Sequence, residues 1–137
     1  MKLLPAKLAT LLAFLFATEA GAELQRKPIG EALDDAYVLL KPTIYAQMID
    51  KNCTTLKLNR KRVRSVRRAV DKQMSKYHLT PDGAKILAAR RAPQAQKDTL
   101  AFIEENEIVI AVPTTWCRAG ENLIGSQHEV GRFLIKR

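Results

Sequence analysis

The sequence has few cysteines and histidines, two of each, and only six glycines and six prolines in 137 residues. Two cysteines are too few for a disulfide-dense toxin scaffold, and the histidines show no zinc-finger or His-Glu-x-x-His spacing. The scarcity of glycine and proline, with 47% hydrophobic residues, argues against a disordered chain. Beyond residue 22, no apolar run reaches the roughly 20 residues of a transmembrane helix. Length and composition therefore predict one small globular domain.

Acidic residues are also scarce, because 14 Asp and Glu stand against 23 Lys and Arg, a formal charge of +9. An excess of this size favours binding to an acidic protein surface, to anionic lipid or glycan phosphate, or to nucleic acid. Composition thus indicates an anionic partner without identifying it.

Residues 1–22 have the layout of a cleaved secretory signal peptide. Lys2 and Lys7 give a positive start, residues 8–17 form an apolar run, and three small residues follow. The run is too short for a stable membrane anchor. We expect a single small basic domain over residues 23–137, periplasmic or secreted, with 21 basic and 13 acidic side chains and a charge of +8.

The two cysteines, Cys53 and Cys117, both remain after removal of the signal peptide. In an oxidising compartment a single pair predicts one structural disulfide. The bridge would close a loop of about 65 residues and stabilise the domain by roughly 4 kcal/mol. No Cys-x-x-Cys spacing or adjacent histidine supports a redox role.

Apolar residues that recur every three or four positions predict helices along much of the mature chain. The first covers about 29–50, with a kink or break at Pro42 because proline lacks the amide hydrogen. The next begins near Arg60, where Asn59 is a suitable N-cap, after a short extended piece at 56–58.

A further helix begins after Thr80, which can cap a helix whose first residue is proline. We expect Pro93 to end it and another helix to cover 94–105. The β-branched run at 107–112 predicts a strand, with 133–135 as its partner in a C-terminal hairpin or, alternatively, a buried helical tail. The sequence predicts a mainly α, compact domain with one disulfide, and an α+β fold as the alternative.

The helix after Asn59 carries an apolar stripe along one side, and the rest of its surface is rich in Lys and Arg and is called the basic face. This basic face is the strongest functional signal in the sequence, although such a face can also serve only to keep a helix solvated. Nucleic acid is disfavoured because export is expected and because no aromatic residues alternate with the cations. We predict partner binding by six residues: Arg60, Lys61, Arg64, Arg67, Arg68 and Lys72.

The segment 113–125 is the second candidate, interpreted as a contact loop held by the disulfide. Trp116 is the only tryptophan, and tryptophan is enriched at binding hot spots, although a tryptophan beside a disulfide often packs over it. Thr115 and Arg118 complete the candidate contact set.

No residues form a recognisable catalytic, cofactor or metal motif. His78 and His128 are isolated in the sequence, and the acidic cluster at 104–107 is typical of a solvated face rather than of paired glycosidase carboxylates. There is no nucleophile elbow, phosphate-binding loop or dinucleotide fingerprint. We therefore predict a protein that is not an enzyme and that uses no cofactor.

These features lead to one functional hypothesis and two alternatives. The first is an exported binding protein of the inhibitor, immunity or accessory type, acting by stoichiometric contact with an acidic protein. The alternatives are a binder of envelope lipid or glycan phosphate and a periplasmic holdase chaperone.

Overall fold

The computed structural model describes residues 28–137, and the predicted signal peptide at 1–22 lies outside this range. Within it the chain is mainly helical. The helices are α1 (Ile29–Asn52), α2 (Arg60–Met74), α3 (Pro81–Glu105) and α4 (Pro113–Gly125). Two short strands, β1 (Leu56–Leu58) and β2 (Leu134–Lys136), and two 3-10 turns, Ser75–Tyr77 and Val130–Phe133, complete the elements.

The predicted helix starts are confirmed by their caps. The Asn59 side-chain oxygen accepts a hydrogen bond from the Arg62 amide at 3.3 Å, so α2 begins at Arg60. The Thr80 hydroxyl accepts one from the Gly83 amide at 3.1 Å, and Pro81 is the first residue of α3.

Helices α1 and α3 each run through their proline, so the predicted end of a helix at Pro93 is wrong and Pro42 does not divide α1 into two helices. A proline inside a helix leaves the carbonyl four residues earlier without its amide donor. Here those carbonyls belong to Val38 and Ala89, both exposed, where water can satisfy them.

The predicted strand at 107–112 is also wrong, and this segment is irregular. Its backbone bonds to the end of α3 and the start of α4 rather than to a strand, since the Ile108 amide donates to the Ile103 carbonyl at 2.9 Å and the Val109 amide donates to the Thr115 hydroxyl at 3.0 Å. Strand β2 instead pairs with β1 in antiparallel register, with Leu56 opposite Lys136 and Leu58 opposite Leu134. The extended piece predicted at 56–58 is therefore the partner of the C-terminal strand.

The hydrophobic core surrounds a disulfide between Cys53 and Cys117, whose Cα atoms lie 4.9 Å apart. The bridge joins the C-terminal end of α1 to α4. Trp116, Leu56 and Ile49 are among the largest fully buried side chains around it. The predictions of a mainly helical domain and of one structural disulfide are confirmed.

One aromatic pair connects α3 to this core. The rings of Tyr45 on α1 and Phe102 on α3 are stacked with their centroids 4.1 Å apart. Both residues are buried, so the C-terminal end of α3 is packed firmly against α1.

We expect the double substitution of Cys53 and Cys117 by alanine to lower the free energy of unfolding by about 4 kcal/mol, because the bridge constrains a long loop of the unfolded chain. Chemical denaturation checks this value. A reductant should shift the wild-type transition by a similar amount and leave the double variant unchanged. A wild-type transition that does not respond to reductant would contradict the prediction.

We expect Gly131→Ala to destabilise the fold by roughly 1–3 kcal/mol. A Cβ at Gly131 would collide with the backbone carbonyl of Leu123, which cannot move as a flexible side chain can. Gly125→Ala is the matched control, since nothing lies within 4 Å of its added Cβ. Thermal denaturation should show a clear loss for the first variant and a change within about 0.5 kcal/mol for the second.

Candidate functional site

The six predicted binding residues of the basic face lie on the exposed surface of α2. Val63 and Val70 are the buried residues of this helix. At about 100° per residue, the six cations cover an arc of roughly 140° that begins next to the buried valines. The prediction that these residues share one exposed face of a helix agrees with the structure.

The two flanks of α2 have different surroundings. On one flank the Arg62 guanidinium donates to the Arg132 carbonyl at 2.8 Å, and Val66 shares a surface recess with Phe133. On the other flank Arg67 borders a recess that also contains Leu40 of α1. One edge of the basic face, at Arg67, therefore borders α1, whereas the C-terminal turn contacts the other flank of α2, at Arg62 and Val66.

Within residues 28–137, none of the six cations of the basic face forms an ion pair. Asp71 is the only acidic residue of α2, and no carboxylate in the described chain lies within 4 Å of their charged nitrogens. Ion pairs among the described residues lie elsewhere, at Lys41–Asp98, Lys85–Asp82, Arg91–Asp34, Arg118–Glu107 and Arg137–Asp50. The positive charge of the basic face is thus not neutralised by the described part of the chain.

The prediction of a loop at 113–125 is wrong, because this segment is the helix α4. Trp116 is 2% exposed and its indole nitrogen donates to the Ile110 carbonyl at 3.1 Å, so it fills the core beside the disulfide. Thr115 donates to the Val112 carbonyl at 2.7 Å. Segment 107–112 turns back onto the first turn of α4, which explains why it is not a strand.

Arg118, the third member of the predicted contact set, is exposed on α4. Its guanidinium donates to the Glu107 carbonyl at 3.2 Å and lies 3.7 Å from the carboxylate of the same residue. It therefore supports the turn before α4.

A polar cluster between α1 and α3 was not predicted from the sequence. The Tyr37 hydroxyl donates to Asp98 at 2.9 Å, the Gln94 amide donates to the same carboxylate at 2.6 Å, and the Lys41 ammonium lies 3.6 Å away. The bond from Tyr37, followed by that from Gln94, lowers the pKa of Asp98. Burial is the largest cause raising the pKa of Tyr37, and its bond to Asp98 adds to it. No sequence signal links Tyr37 of α1 to Asp98 of α3, because these two residues are 61 positions apart.

A recess of about 560 Å³ lies beside this cluster. It contains both cationic and anionic side chains, among them Lys41, Asp98 and Glu129. His128 is also present, but its Nδ1 atom accepts the Val130 amide at 3.2 Å and serves the backbone. Among the described residues, no three His, Cys, Asp or Glu side chains are grouped as metal ligands would be.

A second, larger groove of about 770 Å³ runs between α1 and α3 and ends at the C-terminal end of α2. Most of its lining is apolar, and five of its residues are alanines. We call it the α1–α3 groove, and its apolar lining is Leu33, Ala36, Leu40, Ile44, Met74, Leu79, Ala84, Leu87, Ala88, Ala92 and Ala95. It adjoins the recess at Arg67, with which it shares Leu40, Ile44 and Asp71. The groove thus reaches the edge of the basic face.

Among residues 28–137, no helix combines the length and hydropathy of a membrane span. The chain matches no protein-family model, no curated protein and no solved structure. Its function is therefore argued from its own geometry.

We expect Asp98→Asn to reduce the loss of stability in acid. Because the pKa of Asp98 is lowered in the folded protein, its carboxylate stabilises the fold above the ordinary pKa of 3.8, and this contribution is lost as the pH falls through the lower folded-state pKa. Denaturation at a series of pH values from about 5 to about 2 should show a steeper decline for wild type than for the variant. Glu104→Gln, an exposed change on the same helix, is the control, and equal slopes for wild type and Asp98→Asn would refute the prediction.

Proposed function

We propose that this chain is an exported, non-enzymatic binding protein that acts by stoichiometric contact with an acidic protein, as an inhibitor, immunity or accessory protein does. One observation carries the proposal: the six cations of the basic face are exposed on one helix and have no ion-pair partner within the described chain. A partner's carboxylates would supply the missing counter-charges.

The physical advantage of such a face is mainly kinetic. A concentrated patch of one sign attracts a complementary surface and can raise the association rate about 10- to 1,000-fold at low salt. Exposed charge pairs add little affinity individually, so specificity requires further contacts with the partner.

The shape of α2 supports recognition by a prearranged surface. The Asn59 cap fixes the start of the helix, and Val63 and Val70 hold it against the rest of the molecule. The backbone that carries the cations is therefore fixed before binding, so association does not have to order it.

The disulfide supports the proposed location. Disulfides persist in oxidising compartments, and the bridge here lies in the core. Together with the predicted signal peptide, it favours a periplasmic or secreted protein.

A second candidate is binding to lipid or glycan phosphate in the cell envelope. It is favoured by the chemistry of the basic face, in which four of the six cations are arginines, Arg60, Arg64, Arg67 and Arg68. Arginine binds phosphate through two parallel hydrogen bonds. Such binding would depend on the total charge of the protein.

The test is affinity capture from envelope and culture-supernatant extracts at low and at high salt, using immobilised residues 23–137 with the bridge intact. We expect one acidic protein to be retained at comparable stoichiometry through high salt. The triple reversal Arg64→Glu, Arg67→Glu and Arg68→Glu should then slow association with that protein at least about tenfold at low salt. It should leave the thermal transition intact, because these side chains are exposed.

A second triple reversal, Lys57→Glu, Arg90→Glu and Lys97→Glu, changes the net charge equally and affects only exposed residues off α2. It should slow association much less. If both triple variants are impaired equally and only mixed anionic material is retained, the phosphate-binding alternative is correct. If the first variant associates as fast as wild type, the basic face has no role in binding.

A further inference from the structure

Helix α3 is long but has little of its surface buried. All 25 of its residues are described, and Phe102, near the C-terminal end, is the only buried one. Large apolar side chains on it remain in contact with solvent, with Ile86 58% and Leu100 57% exposed. Helices in water gain most of their stability from packing an apolar face. Much of the apolar surface of α3, however, has no partner among residues 28–137.

Neither Ile86 nor Leu100 lines the α1–α3 groove, whose apolar wall on α3 consists instead of Leu87 and four alanines. One wall runs from Leu33 to Ile44 and the other from Ala84 to Ala95, and each spans twelve residues, a rise of about 16 Å or three helical turns. Ala84, Ala88 and Ala92 are exposed along the wall of α3, so the groove is open along its length. Small side chains on an open wall allow a third helix to approach closely.

At the end of the groove next to α2, the neighbouring cations of the basic face favour an occupant with acidic side chains. Arg67 of the basic face borders the adjoining recess and has no ion pair in the described chain, whereas Arg91 in the groove is paired with Asp34. Asp71 lies at the same end and is the one unfavourable charge there for an anion, but it is flanked in α2 by Arg67, Arg68 and Lys72. An occupant that is apolar on one side and acidic on the side next to α2 satisfies both surfaces.

We propose that the α1–α3 groove binds an amphipathic, acidic helix of the partner protein, an inference that rests on the proposed function. Apolar residues at positions i, i+3, i+4 and i+7 of that helix pack between the alanine-lined wall of α3 and Leu40 and Ile44 of α1. Carboxylates on its flank pair with the basic face, beginning at Arg67.

Two occupants from this chain itself fit less well. A second copy carries the same basic face, so docking would bring like charges together. The segment preceding α1 is also basic, since residues 1–27 contain Lys2, Lys7, Arg26 and Lys27 against two glutamates. Both have a net positive charge, which disfavours a position beside Arg67.

An anionic amphiphile fits the charge but not the shape. Ligand pockets for such molecules enclose about 70–90% of the ligand surface, and this groove is open along the wall of α3. A helix needs only one of its faces covered.

The test uses residues 23–137 with the disulfide intact and a fluorescent 15-residue peptide with leucines at i, i+3, i+4, i+7 and i+11 and glutamates at most other positions. The control peptide has the same composition in scrambled order. We expect the amphipathic peptide to bind at least about tenfold more tightly by fluorescence anisotropy, and to shift the NMR signals of the groove alanine methyl groups.

A matched pair of variants locates the site. Ala88→Gln and Ala89→Gln alter neighbouring exposed alanines of α3, but only Ala88 lines the groove. We expect Ala88→Gln to weaken peptide binding, and binding of the captured acidic protein, about tenfold, and Ala89→Gln to leave both unchanged. Thermal denaturation of both variants confirms that they fold.

Several outcomes would overturn the inference. If the two peptides bind equally, or if Ala88→Gln binds the peptide and the captured protein as wild type does, the groove is not the binding site. The proposed function would still stand in that case, provided that binding of the captured protein depends on Arg64, Arg67 and Arg68. If palmitate, and not the amphipathic peptide, shifts the alanine methyl signals, the occupant is an amphiphile. If light scattering shows a dimer that Ala88→Gln dissociates, the occupant is a second copy. If association of the captured protein does not depend on the basic face at all, the proposed function itself is refuted.

Discussion

The disulfide between Cys53 and Cys117 is the constraint on which the rest of the molecule depends. It fixes the end of α1 against α4 at the centre of the hydrophobic core. Leu56 follows three residues after Cys53 and is fully buried, and a side chain at Gly120 would collide with it, so β1 passes directly over α4. Strand β2 then returns along β1, which brings the C-terminal segment onto the same core.

The position of the basic face follows from that arrangement. Strand β1 ends at Leu58, Asn59 caps the next helix, and α2 leaves the core with only Val63 and Val70 buried. A short helix with so few buried residues has most of its circumference exposed, and cations occupy much of it. The core thus presents the cations without neutralising them, which is why a function based on attraction of an acidic partner is the one we propose.

The α1–α3 groove results from the way in which α3 is attached. Its C-terminal end is held by the stacking of Phe102 on Tyr45, and further contacts come from long polar side chains, Asp98 with Tyr37 and Arg91 with Asp34. Long side chains bridge two helices without bringing their backbones together, and the alanines between the bridging residues are too short to fill the space. The apolar surface that remains is suited to an added helix.

The sequence by itself determined the features that depend on residues close together in the chain, namely the caps at Asn59 and Thr80 and the cationic helix. It also determined the disulfide, because two cysteines can pair in only one way. Tertiary structure determined the conformation of 107–112. Its β-branched residues favour a strand, but hydrogen bonds with Thr115 and Trp116 satisfy its backbone in an irregular conformation. Tertiary structure also created the α1–α3 groove and the polar cluster around Asp98. Local patterns specify helices and caps because their interactions span a few residues, whereas a groove is formed by residues that only folding brings together.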